Sequence, residues 1–384
     1  MPDIIFTVLV YLAAWALLYI VSRIFIWEKR GVTVEPLFLM IRTSRLNEWL
    51  NSLSQKRVRI WRIIWNFGVV LAFGQMGFII YFLSRNLLDL TARAPQAAGM
   101  VLLIPGVTVS LETLPYIIVA LAVVLITHEF AHAIASLADG VSIKSVAVFF
   151  AVLIPGGACE LDDEKLEKSR LATKLRVFAA GSSANILAWV VVTLLLTNFA
   201  LTVSPLYHGP SGILVSGVVE NGGSDKAGIR KWDVIYAINN QPIRDVAELG
   251  AFMLNVRPGT ILSLKTDRGS IDVTAQPNPQ NSSRALLGVY PFNYFTPNLI
   301  FLPKDLPYHM YWSEYWTSAL LVWIAIFNTL PLYPLDGDKI VHSLISSRSQ
   351  TVAKYVRIAL SIVFLAVLGL NLGLSYFNFG LVRI

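Results

Sequence analysis

A mostly apolar stretch, Leu114–Leu137, is long enough to cross a bilayer and contains the sequence His128-Glu129-Phe130-Ala131-His132. Histidines four positions apart lie on one face of a helix, where both imidazoles can reach one Zn²⁺ ion. The glutamate between them can act as a general base toward water. The alternative is a pair of packing histidines with a bystander glutamate. It is disfavoured because ionisable groups at membrane depth are costly unless they serve a site.

The composition indicates an integral membrane protein. Hydrophobic residues make up 55% of the chain, charged residues make up 14%, and the mean hydropathy is +0.61. A spanning helix needs about 20 apolar residues. Six runs have about this length: Ile4–Ile26, Ile63–Leu83, Leu114–Leu137, Val177–Leu201, Tyr315–Leu330 and Val356–Phe379. The first run lacks the basic start and the cleavage site of a signal peptide, so we expect a retained helix.

Lysine and arginine are concentrated in loops that the positive-inside rule places in the cytoplasm. Eight lie in Glu28–Arg62, five in Lys165–Arg176 and four in Lys339–Arg357, whereas Ser84–Thr113 has only two. Both termini and the segment from about Ser204 to Trp312 are therefore predicted to be extracytoplasmic. The net charge of +7 follows from this bias, so a nucleic-acid partner is not expected.

A catalytic zinc with an open coordination position needs a third protein ligand. Asp336 is the predicted one, because two prolines break the end of the apolar run before it and Gly337 relaxes the backbone beside it. Asp338 is an alternative ligand, and both carboxylates could instead lie at the membrane surface. The single cysteine, Cys159, excludes an intramolecular disulfide and is better interpreted as a small buried hydrophobe than as a ligand.

Asn185 lies at a membrane depth similar to that of the histidine pair. The centre of the pair is about eight residues, or roughly 12 Å, from the cytoplasmic end of its helix near Ala138. Asn185 is also about eight residues into the run that starts at Val177. Two roles are open: a hydrogen bond to a substrate backbone or polarised carbonyl, or a contact between helices beside the small residues 181–183.

Taken together, these motifs resemble the site-2 protease family of intramembrane zinc metalloproteases. The motifs are His128-Glu129-x-x-His132, Leu335-Asp336-Gly337 preceded by Asn328 and Pro331, and Ala180-Gly181-Ser182-Ser183-Ala184-Asn185. The resemblance covers approximately Pro115 to Val356, although Ser182 stands where proline is common. It implies that His128, His132 and Asp336 bind zinc and that Glu129 activates water.

The segment Val141–Glu160 is hydrophobic but does not look helical, because it contains Pro155 and two glycines and is rich in Val and Phe. Irregular backbone at membrane depth is stable only where protein or a water-filled cavity covers it. We therefore expect a re-entrant β-like element beside the site, whose edge could pair with an unwound substrate. Glu160 either orients part of the site or begins the acidic cytoplasmic loop.

The segment from Gly212 to Ile243 has short alternating strands separated by Gly and Asn turns, and it resembles a PDZ domain. The family pattern commonly has glycine where Trp232 stands. A groove near Ser211–Val215 could bind an extended peptide or a new carboxy-terminus. The other interpretation of this segment is a size filter or structural cap over the protease.

The predicted fold is a mainly α polytopic membrane protein with about six transmembrane helices and a re-entrant β-like element, plus a small extracytoplasmic α/β PDZ-like domain. Five parts are expected. They are 1–110 (helices 1–2 and a basic cytoplasmic loop), 111–203 (metal-binding helix, re-entrant segment and fourth helix), 204–290 (PDZ-like domain), 291–312 (linker) and 313–384 (helices 5–6, completing the catalytic core).

The predicted function is that of a zinc metalloendopeptidase which hydrolyses peptide bonds in or near transmembrane segments, in regulated intramembrane proteolysis. Expected partners are single-span membrane proteins or peptides, membrane lipid, and a peptide carboxy-terminus at the PDZ-like domain. The active site is expected toward the cytoplasmic side. The alternative is a catalytically inactive membrane PDZ adaptor with a structural metal site. A transporter is a weaker alternative, because no inverted repeat is visible in the sequence.

Overall fold

The computed structural model describes residues 2–151 and 154–382, and its architecture is mainly helical. In chain order the helices are α1 (Pro2–Ile24), α2 (Asn47–Lys56), α3 (Val58–Thr91), α4 (Leu114–Ala138), α5 (Asp163–Glu167), α6 (Leu171–Thr197), α7 (Phe199–Val203), α8 (Gly223–Lys226), α9 (Val246–Met253), α10 (Leu306–Asn328), α11 (Asp336–Ser346) and α12 (Gln350–Phe379).

The strands form antiparallel sheets. They are β1 (Val32–Glu35), β2 (Phe38–Thr43), β3 (Ile143–Ala151), β4 (Ile154–Leu161), β5 (Tyr207–Val218), β6 (Val234–Ile238), β7 (Gln241–Pro242), β8 (Ile261–Thr266), β9 (Gly269–Thr274), β10 (Gln276–Asn278), β11 (Asn281–Leu286) and β12 (Val289–Pro297).

Four helices of the described ranges, α3, α4, α6 and α12, are long and apolar enough to cross a membrane. They overlap the predicted runs that begin at Ile63, Leu114, Val177 and Val356. The other two runs lie in α1 and α10, and they stay predictions as spans. The structure therefore supports a helical membrane protein, while the number six stays a prediction.

The chain divides into two compact units. The first runs up to Val192 and resumes at Trp316, and the second is Thr193–Tyr315. The finer five-part division made from the sequence stays a prediction.

In the first unit, the last eight residues of α4, Ala131–Ala138, are all buried. Its alanines let neighbouring elements approach closely, and Leu50 of α2, Trp65 of α3 and Val177 of α6 lie in the same hydrophobic cluster. His132 lies within this stretch and His128 lies one turn before it, so the pair sits in a closely packed part of the molecule.

A four-stranded sheet in the order β1-β2-β3-β4 packs against this core. The predicted re-entrant segment is the β3-β4 hairpin, apart from residues 152 and 153, which lie outside the described residues. Glu160 accepts hydrogen bonds from Arg42 (2.9 Å) and from the Ser145 hydroxyl, and so links β4 to β2 and β3. The sequence analysis missed β1 and β2, which it treated as part of a basic loop.

A buried carboxylate at the end of α4 connects three helices. Asp139 accepts hydrogen bonds from Nε of Arg62 in α3 (2.8 Å) and from Nε of Arg176 in α6 (2.7 Å), and its side chain is only 2% exposed. Because a buried charge is stable only when paired, this cluster holds α3, α4 and α6 together close to the start of α6.

The second unit contains a sheet in the order β12-β5-β6-β8-β9, with β7 beside β6. Its core includes Ile213, Ile235 and Leu264. The predicted peptide groove along Ser211–Val215 is wrong in its position, because β5 pairs with β12 on one side and with β6 on the other. No edge of β5 is left for an added peptide strand at these residues.

Trp232 adopts a left-handed backbone conformation, with φ of +73°. Glycine takes this conformation without the steric cost that a side chain brings, which accounts for the glycine of the PDZ pattern. The Trp232 ring packs edge-on against Tyr308 at 5.2 Å between centroids. The turn before Asp233 therefore has a glycine-like shape although it contains a tryptophan.

Replacing Asp139 with Ala is expected to lower the free energy of unfolding by about 3 kcal/mol, because the largely buried Arg176 loses its carboxylate partner. Thermal unfolding in detergent measures the loss. The control is Glu164→Ala, which removes an exposed pair with Lys168 and should change stability by about 0.5 kcal/mol or less. Equal effects of the two substitutions would contradict the role assigned to Asp139.

Candidate metal centre

The two histidines of α4 face the same point. His128 and His132 are one helical turn apart, their Nε2 atoms are 3.1 Å from each other, and each residue is less than 10% exposed. Pro115 in the first turn of α4 is compatible with a helix start, and Gly140, with φ of +82°, follows its end. The sequence therefore places both rings on one buried helix face.

Asp336 completes the cluster from a distant part of the chain. Its Oδ2 atom lies 3.1 Å from Nε2 of each histidine, and the residue is 4% exposed. It is the first residue of α11, where the helix dipole favours a negative charge. Asp338, the alternative ligand, instead pairs with Arg357 through two contacts of 2.9 Å.

Gly337 allows the start of α11 to lie against the backbone that follows α10. A Cβ atom on Gly337 would lie 1.9 Å from the carbonyl oxygen of Thr329. Any other residue at this position would push the start of α11, and with it Asp336, away from the end of α10. Close backbone packing thus explains the glycine next to the predicted ligand.

The three donor atoms fit a zinc ion. Atoms bound to a tetrahedral zinc at about 2.0–2.1 Å lie about 3.3 Å from one another, close to the observed 3.1 Å. Gly181 of α6 keeps space beside the nitrogens, because a Cβ there would lie 2.5 Å from Nε2 of His132 and 2.6 Å from Nε2 of His128. Two imidazoles and one carboxylate also match the donor set of catalytic zinc sites, which leave one position open.

Further contacts hold the ligands in place. Nδ1 of His132 lies 2.7 Å from the Val177 carbonyl oxygen, so it carries the proton and leaves Nε2 available to a metal. Nζ of Lys339 donates to the other carboxylate oxygen of Asp336 at 3.0 Å. The sequence analysis missed Lys339, although its position three residues after Asp336 on a helix was a usable signal.

Asn185 contacts α4 rather than an open space. It is fully buried, its Nδ2 lies 3.3 Å from Nδ1 of His128, and its Oδ1 lies 2.6 Å from the Thr127 hydroxyl. A half-turn of the amide would place Oδ1 against a protonated Nδ1 and leave Nε2 of His128 available to a metal. The contact between helices is thus present, and a contact with substrate stays a prediction.

Glu129 lies beside the cluster and beside the sheet. Its side chain is half-buried, and its Cγ is 2.6 Å from the position that a Cβ on Gly157 of β4 would take. The glycine therefore lets β4 pass directly over the predicted base. Cys159, two residues further along β4, packs partly buried against the hydrophobic cluster around α4 and is not among the three converging donors.

The model of peptidase family M50 matches residues 116–370, about two thirds of the chain, including His128, Glu129, His132 and Asp336. The chain belongs to peptidase family M50, the site-2 protease family. The resemblance inferred from its motifs is confirmed. The family consists of metallopeptidases of membranes, in agreement with the four apolar helices and the three converging donors.

Parts of the chain are similar to two other proteins. An uncharacterised protein of Methanocaldococcus jannaschii is 27% identical over 268 residues, which are 67% of this chain and 65% of the relative. A protein of Arabidopsis thaliana named as a membrane-bound transcription factor site-2 protease homolog is 31% identical over 108 residues, 28% of this chain and 21% of that protein. The matches thus span less than two thirds of either relative.

Gly181→Ala is expected to weaken metal binding by about tenfold or more, because the new methyl group would collide with both Nε2 atoms. Metal content after dialysis and competition with a chelator measure the change. Gly373→Ala in α12 is the matched control, since a Cβ there meets nothing within 4 Å. Wild-type affinity in Gly181→Ala would show that the metal does not lie between these nitrogens.

Proposed function

We propose that this protein is a zinc metalloendopeptidase that hydrolyses peptide bonds in or near transmembrane segments of single-span membrane proteins. The observation that carries the proposal is the convergence of His128, His132 and Asp336 inside a helical membrane unit, with Glu129 beside them. Membership of family M50 supports the same reaction class. Regulated intramembrane proteolysis is the proposed biological setting.

His128, His132 and Asp336 would hold the zinc ion, which supplies Lewis-acid polarisation of a carbonyl and acidifies water when bound. Glu129 takes a proton from the attacking water while the oxygen of that water bonds to the peptide carbonyl carbon. It then returns the proton to the amine nitrogen as the carbon–nitrogen bond breaks. Lys339 holds one oxygen of Asp336, so that the other stays directed at the histidines.

A transmembrane substrate must unwind before it can react, because a helix keeps its peptide groups in its own hydrogen bonds. In this proposal β4 receives the unwound segment. It is the last strand in the order β1-β2-β3-β4, so one of its edges has no strand partner among the described residues, and Gly157 brings it next to Glu129. An added strand would present its peptide bonds close to the base.

The second unit supports the PDZ-like assignment, but with the peptide site at β12 and not at β5. The outer edge of β12 lies at the end of its sheet, and Asn293 of β12 accepts a hydrogen bond from Val246 at the start of α9 (2.8 Å). We propose that a peptide carboxy-terminus binds between β12 and α9, on the extracytoplasmic side. The cytoplasmic orientation of the metal centre rests on the distribution of lysine and arginine.

Glu129→Gln is expected to reduce cleavage at least about 100-fold while zinc content stays at the wild-type level, because the amide cannot accept the proton of water. Purified proteins in detergent are assayed for zinc and for cleavage of single-span substrates by mass spectrometry. The control is Glu164→Gln, the same change at an exposed position.

Three results would count against this proposal. Cleavage by Glu129→Gln at the wild-type rate would show that Glu129 is not the general base. Zinc in the wild type without cleavage of any substrate in the panel would favour the inactive adaptor. Absence of zinc from the wild type would contradict the metal centre itself.

If a substrate pairs with β4 as an added strand, disulfide cross-links are expected from a cysteine at Ala158→Cys, introduced together with Cys159→Ala. They should form with cysteines at every second position of the substrate. The alternation follows because successive side chains of a strand point to opposite faces. Thr33→Cys on β1, at the other end of the sheet, is the control and should cross-link poorly. Equal cross-linking from both strands, or no alternation, would exclude substrate addition at β4.

A further inference from the structure

A short apolar tip protrudes from the second unit between β12 and α10. It consists of Leu299, Ile300 and Phe301, which are 49%, 104% and 75% exposed. The chain has no charged residue from Val289 to Pro303. Three adjacent large apolar side chains exposed to this degree are unusual on a surface that faces only water.

The tip is held in place on both sides. The amide nitrogen of Asn298 donates to the carbonyl oxygen of Leu206 (2.9 Å), and the Tyr207 hydroxyl donates to the carbonyl oxygen of Pro303 (2.7 Å). Leu302, directly after the tip, packs into a cluster with Val203, Tyr207 and Phe295. The exposed side chains therefore stand on an anchored turn.

The tip is connected to the end of a membrane-spanning helix. α6 ends at Thr197, and its last residues belong to the same unit as the tip. Between this end and β5, Leu201 and Leu206 are also exposed, at 65% and 39%. Since Leu206 is the residue that Asn298 contacts, the tip lies close to the chain that emerges from the membrane.

Aromatic residues mark the same region as a membrane boundary. Tyr308, Tyr311, Trp312 and Tyr315 lie in the first part of α10, which starts five residues after Phe301. The Trp312 ring contacts the rings of the three tyrosines. Tyrosine and tryptophan are enriched at the level of lipid headgroups, where their rings are partly apolar and their polar atoms reach water.

We propose that the tip Leu299–Phe301 is a lipid anchor that inserts into the interfacial layer of the bilayer next to the end of α6. The occupant of this surface is therefore lipid. Insertion to a depth of about 5–10 Å would place the three side chains at the headgroup and acyl-chain boundary and hold the second unit against the membrane surface. This inference does not depend on the metal centre or on the proposed peptidase activity.

The test uses the full chain with Cys159→Ala, so that one new cysteine carries the label. Ile300→Cys is labelled with the fluorophore NBD and reconstituted into phosphatidylcholine–phosphatidylglycerol vesicles with or without doxyl-labelled phospholipid. We expect at least about twofold lower fluorescence in the doxyl-lipid vesicles, because an inserted label lies in contact with the quencher. Leu254→Cys is the control, since Leu254 belongs to the same unit and is 68% exposed.

Phe301→Cys provides a second position on the tip and should behave as Ile300→Cys does. Fluorescence at both tip positions that is quenched no more than at Leu254→Cys would overturn the proposal. A blue-shifted emission without quenching by doxyl lipid at any depth would also overturn it. That result would show that protein, for example a second copy of this chain, covers the tip.

Discussion

The mutual approach of two imidazoles and one carboxylate within a helical membrane unit is the constraint on which the rest of the structure depends. Three polar side chains with donor atoms 3.1 Å apart are stable at this burial only when they satisfy one another or share a cation. Their neighbours are accordingly small. Gly181 keeps a side chain away from the nitrogens, and Gly337 lets α11 begin against the backbone of Thr329.

Ionic pairs between helices distant in the sequence stabilise the framework around this centre. Asp139 links α4 to α3 and α6, and Asp338 links α11 to Arg357 of α12. Each carboxylate is almost fully buried, so loss of Arg357 beside Asp338, or of both arginines beside Asp139, would leave a charge without compensation. Pairing of this kind fixes which helices are neighbours. Apolar packing in lipid specifies the choice of neighbouring helix only weakly.

Much of the centre was predictable because its signals are local. The spacing of His128 and His132 follows from helical periodicity, and the apolar runs of α3, α4, α6 and α12 follow from the length of a span. The β character of the hairpin after α4 was visible in its glycines and β-branched residues. By contrast, β1 and β2 lie in a loop rich in Lys and Arg. β2 forms along the edge of β3, and β1 forms along the edge of β2, so propensity alone did not reveal them.

The sequence by itself therefore determined the class of the protein, the helix that carries the histidine pair, and the kinds of ligand available to a metal. Only the tertiary structure placed Asp336, and not Asp338, beside the two histidines, gave Asn185 and Lys339 their partners, and showed that β5 is paired on both sides. The physical reason is distance along the chain. His128 and Asp336 are 208 positions apart, and no local pattern specifies which atoms meet once the helices and strands have packed.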